Sequence, residues 1–307
     1  MIKDINDFWL SQPITPCETI NIGGVEVVVK RDDLNHEFVQ GNKLRKLKYN
    51  LIEAQQKSAD TLVTFGGAYS NHLLATAFAA KACGFKSVGV VRGQELADNA
   101  AVWSETLFNC QEFGMQLVFV SRSDYRLKAN SEPCKKLLES VPNSYLLPEG
   151  GSNDLALKGV TELIAELKQQ VIYPPTHLFC PVGTGGTFAG LVKGVVEHQW
   201  DCQIFGVGVL KGLQGVKNEL NQWLKGFETE ARFELLENYH AGGYAKKTEE
   251  LSRFCVTFEQ KHQIKLDRIY NSKSFYALAY LIQTGMVSAA DRPLIVHTGG
   301  LQGGVNK

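Results

Sequence analysis

The sequence lacks cysteine pairs at disulfide or metal-binding spacing, although it has seven cysteines among its 307 residues. The number is odd, the cysteines are scattered, and no two of them form a Cys-x-x-Cys motif. A disulfide framework and a zinc site are therefore both disfavoured. The seven histidines show no His-Glu-x-x-His or other ligand spacing. We expect reduced thiols, as in an intracellular protein, and no metal centre.

Net charge and long apolar runs are missing as well. Lys and Arg together number 32, and so do Asp and Glu, so no overall field favours nucleic acid or an anionic membrane. The first ten residues, MIKDINDFWL, lack the apolar core of a signal peptide, and no later run reaches the length of a membrane span. We therefore expect a cytoplasmic protein that binds neither nucleic acid nor membranes.

The usual nucleotide-binding motifs are also absent. The glycine-rich segment CPVGTGGTFAG, residues 180–190, has no Gly-Lys-Ser/Thr, which disfavours hydrolysis of nucleoside triphosphates. It does not match G-x-G-x-x-G either, because Phe188 stands where the third glycine would be. A nicotinamide-dependent oxidoreductase is therefore the weaker hypothesis, and purified protein that retains NAD would support it.

Short apolar runs rich in β-branched residues alternate with segments long enough for helices. The runs lie at 25–29, 62–65, 87–91, 116–120, 177–182, 204–209 and 293–297, and the longer segments at 71–83, 99–113, 154–170 and 187–199. Nearly continuous apolar strands separated by helices predict an α/β fold with a mostly parallel sheet covered on both faces. Ligands of such proteins bind beyond the carboxyl ends of strands, so the strand-to-helix turns are the places to search.

The segment QGNKLRKLKYNLIEA, residues 40–54, has four cations in six positions after a Gly-Asn pair. If a helix begins near Lys43, its apolar stripe places Lys43 nearest the core. Lys46 would lie about 120° from the centre of the stripe, and Arg45 would face water. Burial and the helix dipole would both lower the pKa of an amine at that position. Two interpretations stay open: a solvated basic helix along which Lys43 extends its amine to water, or a buried and reactive Lys43.

Two further turns carry residues suited to anions. In TFGGAYSNH, Ser70 and Asn71 follow a strand that we expect to end at Phe65. They are placed either to cap a helix or to bind an anion such as a carboxylate. The loop 183–187 suits a small isolated phosphate group, because its backbone N–H groups precede a helix, or it is a plain connection.

Hydroxyl side chains mark the C-terminal part of the sequence. Thr298, in IVHTGG, follows a strand that reads as buried, and Tyr270 lies just before a helix. Tyr270 and Tyr244 are by residue type more often core or interface aromatics than catalysts. A buried lysine, a phosphate loop, an anion site and a hydroxyl at a strand end together describe a pyridoxal phosphate site.

The order of the motifs resembles that of a known family. VVVKRDDL, QGNKLRKLKY, TFGGAYSNH, PEGGSND, PVGTGGTFAGL, YNSKS and HTGG stand as in the 1-aminocyclopropane-1-carboxylate deaminase and D-cysteine desulfhydrase family, over nearly the whole chain. These are pyridoxal phosphate enzymes of fold type II, the tryptophan synthase β-like fold. The resemblance implies two parallel-sheet-based domains with the site between them: a large one at 1–46 and 153–307, and a small one at 47–152.

The resemblance also implies roles for single residues. Lys43 would hold the cofactor covalently, and Asn71 would hydrogen-bond the hydroxyl of its pyridine ring. Ser70 would lie beside the substrate, with backbone groups near Asn71 and His72 receiving the substrate carboxylate. Lys46 would help to hold the phosphate together with the loop residues Gly183, Thr184, Gly185, Gly186 and Thr187.

The remaining implied roles concern the C-terminal hydroxyls. Thr298 would face the pyridine nitrogen, and Tyr270 and Tyr244 match two active-site tyrosines implicated in proton transfer and substrate positioning. Lys43, Ser70 and Tyr270 are alternative acid/base groups for the proton on the substrate Cα. The family further implies a homodimer that acts on a small amino acid.

Departures from the family pattern bear on the reaction. Asn271 replaces a glutamate of the deaminases, and Thr298 is the desulfhydrase-like residue. A neutral hydroxyl makes the ring a poorer electron sink than a carboxylate would. This favours β-elimination from D-cysteine, or from another D- or β-substituted amino acid, to pyruvate, ammonia and sulfide. Opening of 1-aminocyclopropane-1-carboxylate to 2-ketobutyrate and ammonia is the alternative reaction. Ala68-Tyr69 stands where the family has Ile-Gln, and this change raises a third possibility, that the protein binds the cofactor without significant turnover.

Overall fold

The computed structural model describes residues 5–227 and 232–303, which form two β-sheets with helices around them. The strands are β1 Cys17–Ile22, β2 Val25–Lys30, β3 Thr61–Gly67, β4 Lys86–Arg92, β5 Met115–Val120, β6 Ser144–Leu146, β7 His177–Val182, β8 Gln203–Gly208, β9 Arg232–Leu236 and β10 Pro293–Val296. The helices are α1 Ile5–Leu10, α2 Asn42–Gln56, α3 Asn71–Cys83, α4 Glu105–Glu112, α5 Arg122–Leu127, α6 Glu132–Ser140, α7 Asp154–Gln170, α8 Gly186–Glu197, α9 Gln214–Trp223, α10 Glu249–His262 and α11 Asn271–Gln283.

The two sheets are almost wholly parallel, as predicted. The larger has the strand order β1-β2-β10-β7-β8-β9 and the smaller β5-β4-β3-β6. Within the described residues, β1 and β2 form the one antiparallel pair, and the other neighbours run in parallel. All seven predicted strands are present, although β3 continues past Phe65 to Gly67. Each of the four predicted helical segments contains a helix, but in 99–113 it covers only Glu105–Glu112.

Helices cover both faces of the larger sheet, which explains why its central strands β7 and β10 are apolar at nearly every position. Along β10, Leu294 and Val296 pack under α7 and α8. Ile295 points the other way, toward α11 and its Phe275. Successive side chains of a strand point to opposite faces, so both sets of residues lie in a core.

The strands separate along the predicted domain boundaries. β3 to β6 lie within 47–152, and the six strands of the larger sheet lie outside it. The first helix crosses this division, because Ile5 and Phe8 pack in the core beside α2 and β3. Residues 1–4, 228–231 and 304–307 of the predicted large domain lie outside the described residues. The domains themselves stay a prediction.

One prediction for α2 is wrong. Arg45 does not face water: its guanidinium binds Asp32, at 2.6 Å, and Glu166, at 2.9 Å. Lys46, which the helical wheel also placed away from the core, is 2% exposed. The cause is α7, which covers the face of α2 opposite its leucines so closely that a Cβ on Gly159 would lie 2.0 Å from the Arg45 carbonyl oxygen.

Candidate active site

A cavity of about 370 Å³ lies where strands end and helices begin. Its walls come from the start of α2, the β3–α3 turn, the β7–α8 loop and the segment after β10. The predicted site residues that line it are Lys43, Lys46, Ser70, Asn71, His72, Gly183, Thr184, Gly185, Thr187, Tyr244, Tyr270 and Thr298. Gly186 is not in the lining but lies directly behind it, since its Cβ would be 3.2 Å from Lys46 Nζ. The structure thus brings the predicted residues together.

Two lysines extend from α2 toward the cavity. Burial lowers the pKa of Lys43 to about 8, so an appreciable fraction of its amine is uncharged near neutral pH. Burial, and then the charge of Lys43, lower the pKa of Lys46 well below its ordinary value. Lys46 Nζ donates to Ser152 Oγ at 2.8 Å and to the Gly150 carbonyl at 3.1 Å. The geometry favours the interpretation of Lys43 as a buried amine over that of a solvated basic helix.

The start of α2 is held against Thr298, in the segment that follows β10. Gly41, the residue before α2, has φ +68°, and a Cβ there would lie 1.9 Å from the Thr298 carbonyl oxygen. Glycine is therefore required for this approach. The Asn42 N–H donates to the same Thr298 carbonyl at 3.2 Å. This contact fixes Lys43 beside Thr298.

The β3–α3 turn places Ser70 and Asn71 at a helix N-terminus. Ser70 Oγ accepts a hydrogen bond from the Leu73 N–H at 3.2 Å, so Ser70 does cap α3. The same residue lines the cavity, and its O–H proton remains free for a ligand. Within the described part of the chain, Asn71 Oδ1 is buried without a hydrogen-bond partner. Both interpretations of this turn are therefore compatible with the geometry.

His72, the second residue of α3, is buried behind this turn. Its Nε2 and Thr64 Oγ1 are 2.9 Å apart, and the residue is 2% exposed. Burial, and then the charges of Lys43 and Lys46, lower the pKa of His72 well below its ordinary value. Its imidazole is therefore neutral at physiological pH.

The β7–α8 loop forms an anion cradle. α8 begins at Gly186, after Gly185 at φ +84°. A Cβ on Gly186 would come within 2.6 Å of Ser152 Oγ. Thr184 Oγ1 lies 2.6 Å from Ser152 Oγ, and Asn42 Nδ2 donates to Thr187 Oγ1 at 2.8 Å. Backbone N–H groups at a helix start, hydroxyls and a nearby lysine are the donors that a phosphate group needs.

Asn42 and Ser152 were not predicted as site residues. Asn42 stands in the GNK motif next to Lys43, and Ser152 in PEGGSND, which was named only among the motifs that carry the family resemblance. The hydroxyl of Ser152 contacts both Lys46 and Thr184. The position of Ser152 in a motif could have drawn attention to it. Its partners Lys46 and Thr184 are distant in sequence, however, so residue spacing alone could not predict these contacts.

Thr298 is positioned by a buried network that sequence reasoning did not identify. Asn271 Oδ1 accepts from the Thr298 N–H at 2.9 Å and from Thr298 Oγ1 at 3.3 Å. Asn271 Nδ2 donates to Asp267 Oδ1 at 2.6 Å and to the Gly299 carbonyl at 2.7 Å. Asn271 is fully buried and is not in the cavity lining. It positions the threonine instead of contacting a ligand.

The two tyrosines stand edge to face on one wall. The ring centres of Tyr244 and Tyr270 are 6.2 Å apart, and a Cβ on Gly183 would lie 3.0 Å from the Tyr270 ring. Burial, and then the neighbouring Tyr244, raise the pKa of Tyr270 well above its ordinary value. Burial also raises the pKa of Tyr244. Both phenols therefore keep their protons at neutral pH.

Lys273, from the YNSKS motif, supports this wall. Its amine is fully buried and donates to the Gly243 carbonyl at 2.7 Å and to the Val209 carbonyl at 3.1 Å. Burial lowers its pKa to about 8. Gly243 directly precedes Tyr244, so Lys273 ties the tyrosine's loop to α11.

The cavity fits pyridoxal phosphate by the chemistry of its donors. Lys43 supplies an amine of lowered pKa, and Gly186 lets the loop approach Ser152 Oγ and Lys46 Nζ more closely than a residue with a side chain could. The unpartnered Asn71 Oδ1 and the Thr298 hydroxyl are polar groups for the ring. Within the described residues, no cluster of metal-binding side chains competes with this interpretation.

Comparisons with known proteins agree with this interpretation. The family model "Pyridoxal-phosphate dependent enzyme" matches residues 7–299. A putative 1-aminocyclopropane-1-carboxylate deaminase of Thermotoga maritima is 32% identical over 290 residues, covering 91% of this chain and 90% of that protein. A D-cysteine desulfhydrase of Klebsiella pneumoniae is 29% identical, covering 90% of this chain and 87% of that protein.

Solved structures show the same fold. The crystal structure of a 1-aminocyclopropane-1-carboxylate deaminase homologue superposes with a TM-score of 0.82 at 28% identity, over 99% of this chain and 96% of that chain. A fungal L-serine ammonia-lyase from Rhizomucor miehei superposes with a TM-score of 0.69 at 17% identity, over 95% of each chain. Family model, relatives and structure agree, so the chain belongs to the pyridoxal-phosphate dependent enzymes, in the family of 1-aminocyclopropane-1-carboxylate deaminases and D-cysteine desulfhydrases.

Proposed function

We propose that the enzyme catalyses β-elimination from D-cysteine, or from a related D- or β-substituted amino acid, to give pyruvate, ammonia and sulfide. The observation that carries this choice is that the side chain in contact with Thr298 is the uncharged amide of Asn271. Asn271, which replaces a glutamate, turns its amide toward Asp267 and the Gly299 carbonyl. Within the described part of the chain, the one carboxylate in the cavity lining is Glu149, which binds Tyr125 and Lys128. A neutral hydroxyl at Thr298 favours departure of a good leaving group over ring opening.

In this proposal each part of the cavity has one task. Bound pyridoxal phosphate supplies a conjugated ring that delocalises the electron pair released at the substrate carbon. Lys43 holds it covalently, and Asn71 and Thr298 bind its ring. The phosphate is bound by Lys46 and by Gly183, Thr184, Gly185, Gly186 and Thr187, whose cradle geometry supports this assignment.

Substrate binding falls to the β3–α3 turn. Ser70 Oγ already accepts the Leu73 N–H, so it serves as a donor toward the substrate. Backbone N–H groups near Asn71 and His72 lie at the start of α3, where the helix dipole favours the substrate carboxylate. The neutral His72 adds no charge to compete for it.

The pKa values distinguish the group that accepts a proton, Lys43, from the group that keeps its proton, Tyr270. Of the three candidates, Lys43 Nζ has a pKa of about 8 and is the group suited to removing the proton from Cα. Tyr270 has a pKa well above its ordinary value, so its O–H acts as a donor. We assign to it a hydrogen bond to the departing thiolate, which stabilises the charge that forms on sulfur. Tyr244, edge to face with it, positions it.

The test is a product assay on purified, cofactor-loaded protein. Pyruvate and sulfide are measured with D-cysteine and L-cysteine, and 2-ketobutyrate with 1-aminocyclopropane-1-carboxylate. Faster release of pyruvate and sulfide from D-cysteine supports the proposal, and a Lys43→Ala control should lose it. Faster 2-ketobutyrate would establish the deaminase instead. An absorbance change without product across D- and L-amino acids would establish binding without turnover.

We also propose that the enzyme is a cytoplasmic homodimer with domains at 1–46 plus 153–307 and at 47–152. The family resemblance supports the dimer, and the distribution of strands between the sheets supports the domains. No helix in the described part of the chain is long and apolar enough to cross a membrane. Light scattering that gives the mass of one chain would contradict the dimer.

A further inference from the structure

Arg92 lines the cavity but has no task in the proposed reaction. It ends β4 and lies opposite Gly67 in the register of the smaller sheet. A Cβ on Gly67 would be 3.6 Å from Arg92 Nη2, so the guanidinium lies over the strand end that leads to Ser70. Burial raises the pKa of Tyr244, and the charge of Arg92 opposes that rise. Arg92 is therefore within electrostatic reach of the substrate's surroundings.

The positive charge of Arg92 is not neutralised within the described part of the chain. Its one recorded contact is with the Tyr125 ring, whose centre lies 5.7 Å from the guanidinium carbon. The acidic residue in the lining, Glu149, is already engaged: it accepts from the Tyr125 hydroxyl and pairs with Lys128 at 2.9 Å. Lys128 and Glu149 offset each other, so Arg92 leaves a net positive charge at this wall.

In the proposed function the other two cations of the cavity, Lys43 and Lys46, bind the cofactor. Arg92 is exposed, and the neighbouring Tyr69, at 52% exposure, lines the same opening. This part of the cavity can therefore admit a substituent that extends from the substrate toward solvent. A guanidinium with free N–H groups binds a carboxylate through two parallel hydrogen bonds.

We propose, building on the proposed function, that Arg92 binds an anionic group at the end of the substrate's side chain. The preferred class is then amino acids whose β-substituent ends in a carboxylate, such as S-carboxymethylcysteine. In the elimination the Cβ–S bond breaks, sulfur keeps the electron pair and takes up a proton, and Cα loses its proton. With one water the products are mercaptoacetate, pyruvate and ammonia.

A matched pair of substrates tests the kinetic consequence. S-Carboxymethylcysteine and its neutral amide, S-carbamoylmethylcysteine, have nearly the same shape, and each enantiomer is assayed. A hydrogen bond to a charged group contributes enough for a preference of about tenfold or more in kcat/KM for the acid. Arg92→Gln should bring the ratio of acid to amide close to one. Arg92→Lys should leave it intermediate, because lysine lacks the planar fork.

The control is Arg122→Gln. Arg122 has a side chain 79% exposed and lies 3.8 Å from Glu95, outside the cavity. Arg122 is the first residue of α5, so Arg122→Gln removes the same charge outside the cavity and should leave both the ratio and the activity unchanged. A loss of the acid preference in Arg122→Gln equal to that in Arg92→Gln would overturn the proposal, because general electrostatic attraction would then explain it.

A binding measurement separates this proposal from the proposed function. D-Glutamate and D-glutamine, and their L enantiomers, have no leaving group on Cβ, and their Kd is read from the absorbance of the bound cofactor. The parent should bind glutamate about tenfold more tightly than glutamine, and Arg92→Gln should not. This holds even if D-cysteine yields no pyruvate, which would defeat only the proposed function. Equal affinities in the parent would overturn the role of Arg92.

Discussion

At the scale of single residues, Asn271 shows how an uncharged side chain outside the cavity can determine its chemistry. All four of its side-chain hydrogen bonds are made inside the protein, two with Thr298, one with Asp267 and one with the Gly299 carbonyl. Asp267 also accepts the N–H groups of Ile269 and Tyr270. One small network thus positions both the Thr298 hydroxyl and Tyr270.

Asn271→Asp should make stability strongly dependent on pH. The new carboxyl would face Asp267 Oδ1, now 2.6 Å from the amide nitrogen, and the Gly299 carbonyl, so its folded pKa rises above the unfolded value. The folded state then binds more protons than the unfolded state, and stability falls as pH rises between those two values. With a rise of about three units, the variant should lose about 3 kcal/mol more at pH 8 than at pH 5. Urea unfolding at both pH values measures this.

The control is Asn271→Ala, which removes the same hydrogen bonds without adding a charge. Its loss of stability relative to the parent should be nearly the same at the two pH values. If Asn271→Asp behaves like the alanine variant, the carboxyl does not face Asp267.

Lys43 should react with added cofactor at a lower pH than an ordinary lysine. Only the unprotonated amine attacks, so the rate rises as pH approaches the pKa and levels off above it. For Lys43 that bend is expected at about 8, compared with an ordinary value of 10.5. Stopped-flow absorbance on the cofactor-free enzyme measures it, with Nα-acetyl-lysine as the unburied amine. A bend near that of the free amine would show that Lys43 is solvated.

At the scale of secondary-structure elements, α2 depends on one glycine of α7. Gly159→Ala would place a Cβ about where the Arg45 carbonyl oxygen now lies, 2.0 Å away, so the helices would have to separate. We expect a loss of about 3 kcal/mol in the free energy of unfolding. We also expect weaker cofactor binding, because α2 carries Lys43 and Lys46. Urea denaturation and titration with pyridoxal phosphate measure the two effects.

Gly215→Ala, in α9, is the matched control. A Cβ there meets nothing within 4 Å, and alanine favours helix over glycine by up to about 1 kcal/mol. Stability should therefore stay the same or rise slightly. Equal stability of the two variants would mean that α2 and α7 do not approach so closely.

The elements also show which parts of the fold were predictable. Strands buried on both faces, such as β7 and β10, read as continuous apolar runs and were predicted. β1 and β9 are edge strands with polar residues on their open sides, and β6 has three residues, so none of them stands out in sequence. The helical wheel identified Lys43 but misplaced Arg45 and Lys46. A wheel assumes that one apolar face is buried, whereas α2 is buried on two sides, one of them by α7.

At the scale of the whole molecule, the cavity combines residues from both sheets. Ser70 follows β3 of the smaller sheet, and the 183–187 loop and Thr298 follow β7 and β10 of the larger one. Cofactor binding should therefore stabilise both. At a hundredfold excess over Kd the gain is about 2.7 kcal/mol. Hydrogen exchange should show protection at the β3–α3 turn and at the 183–187 loop together.

Lys43→Ala provides the comparison for that measurement, since it lacks the covalent attachment. It should show smaller protection in both segments at the same cofactor concentration. Protection confined to one sheet would contradict a site shared between them.

The strand order of the larger sheet has a consequence for synthesis of the protein. β2 pairs with β10, which lies near the other end of the sequence. On the ribosome, β3 to β6 can pair soon after they emerge, while the hairpin of β1 and β2 keeps an open edge until β10, Pro293–Val296, has been translated. Such an edge invites pairing with other nascent chains. The hairpin is therefore where a chaperone would be needed longest.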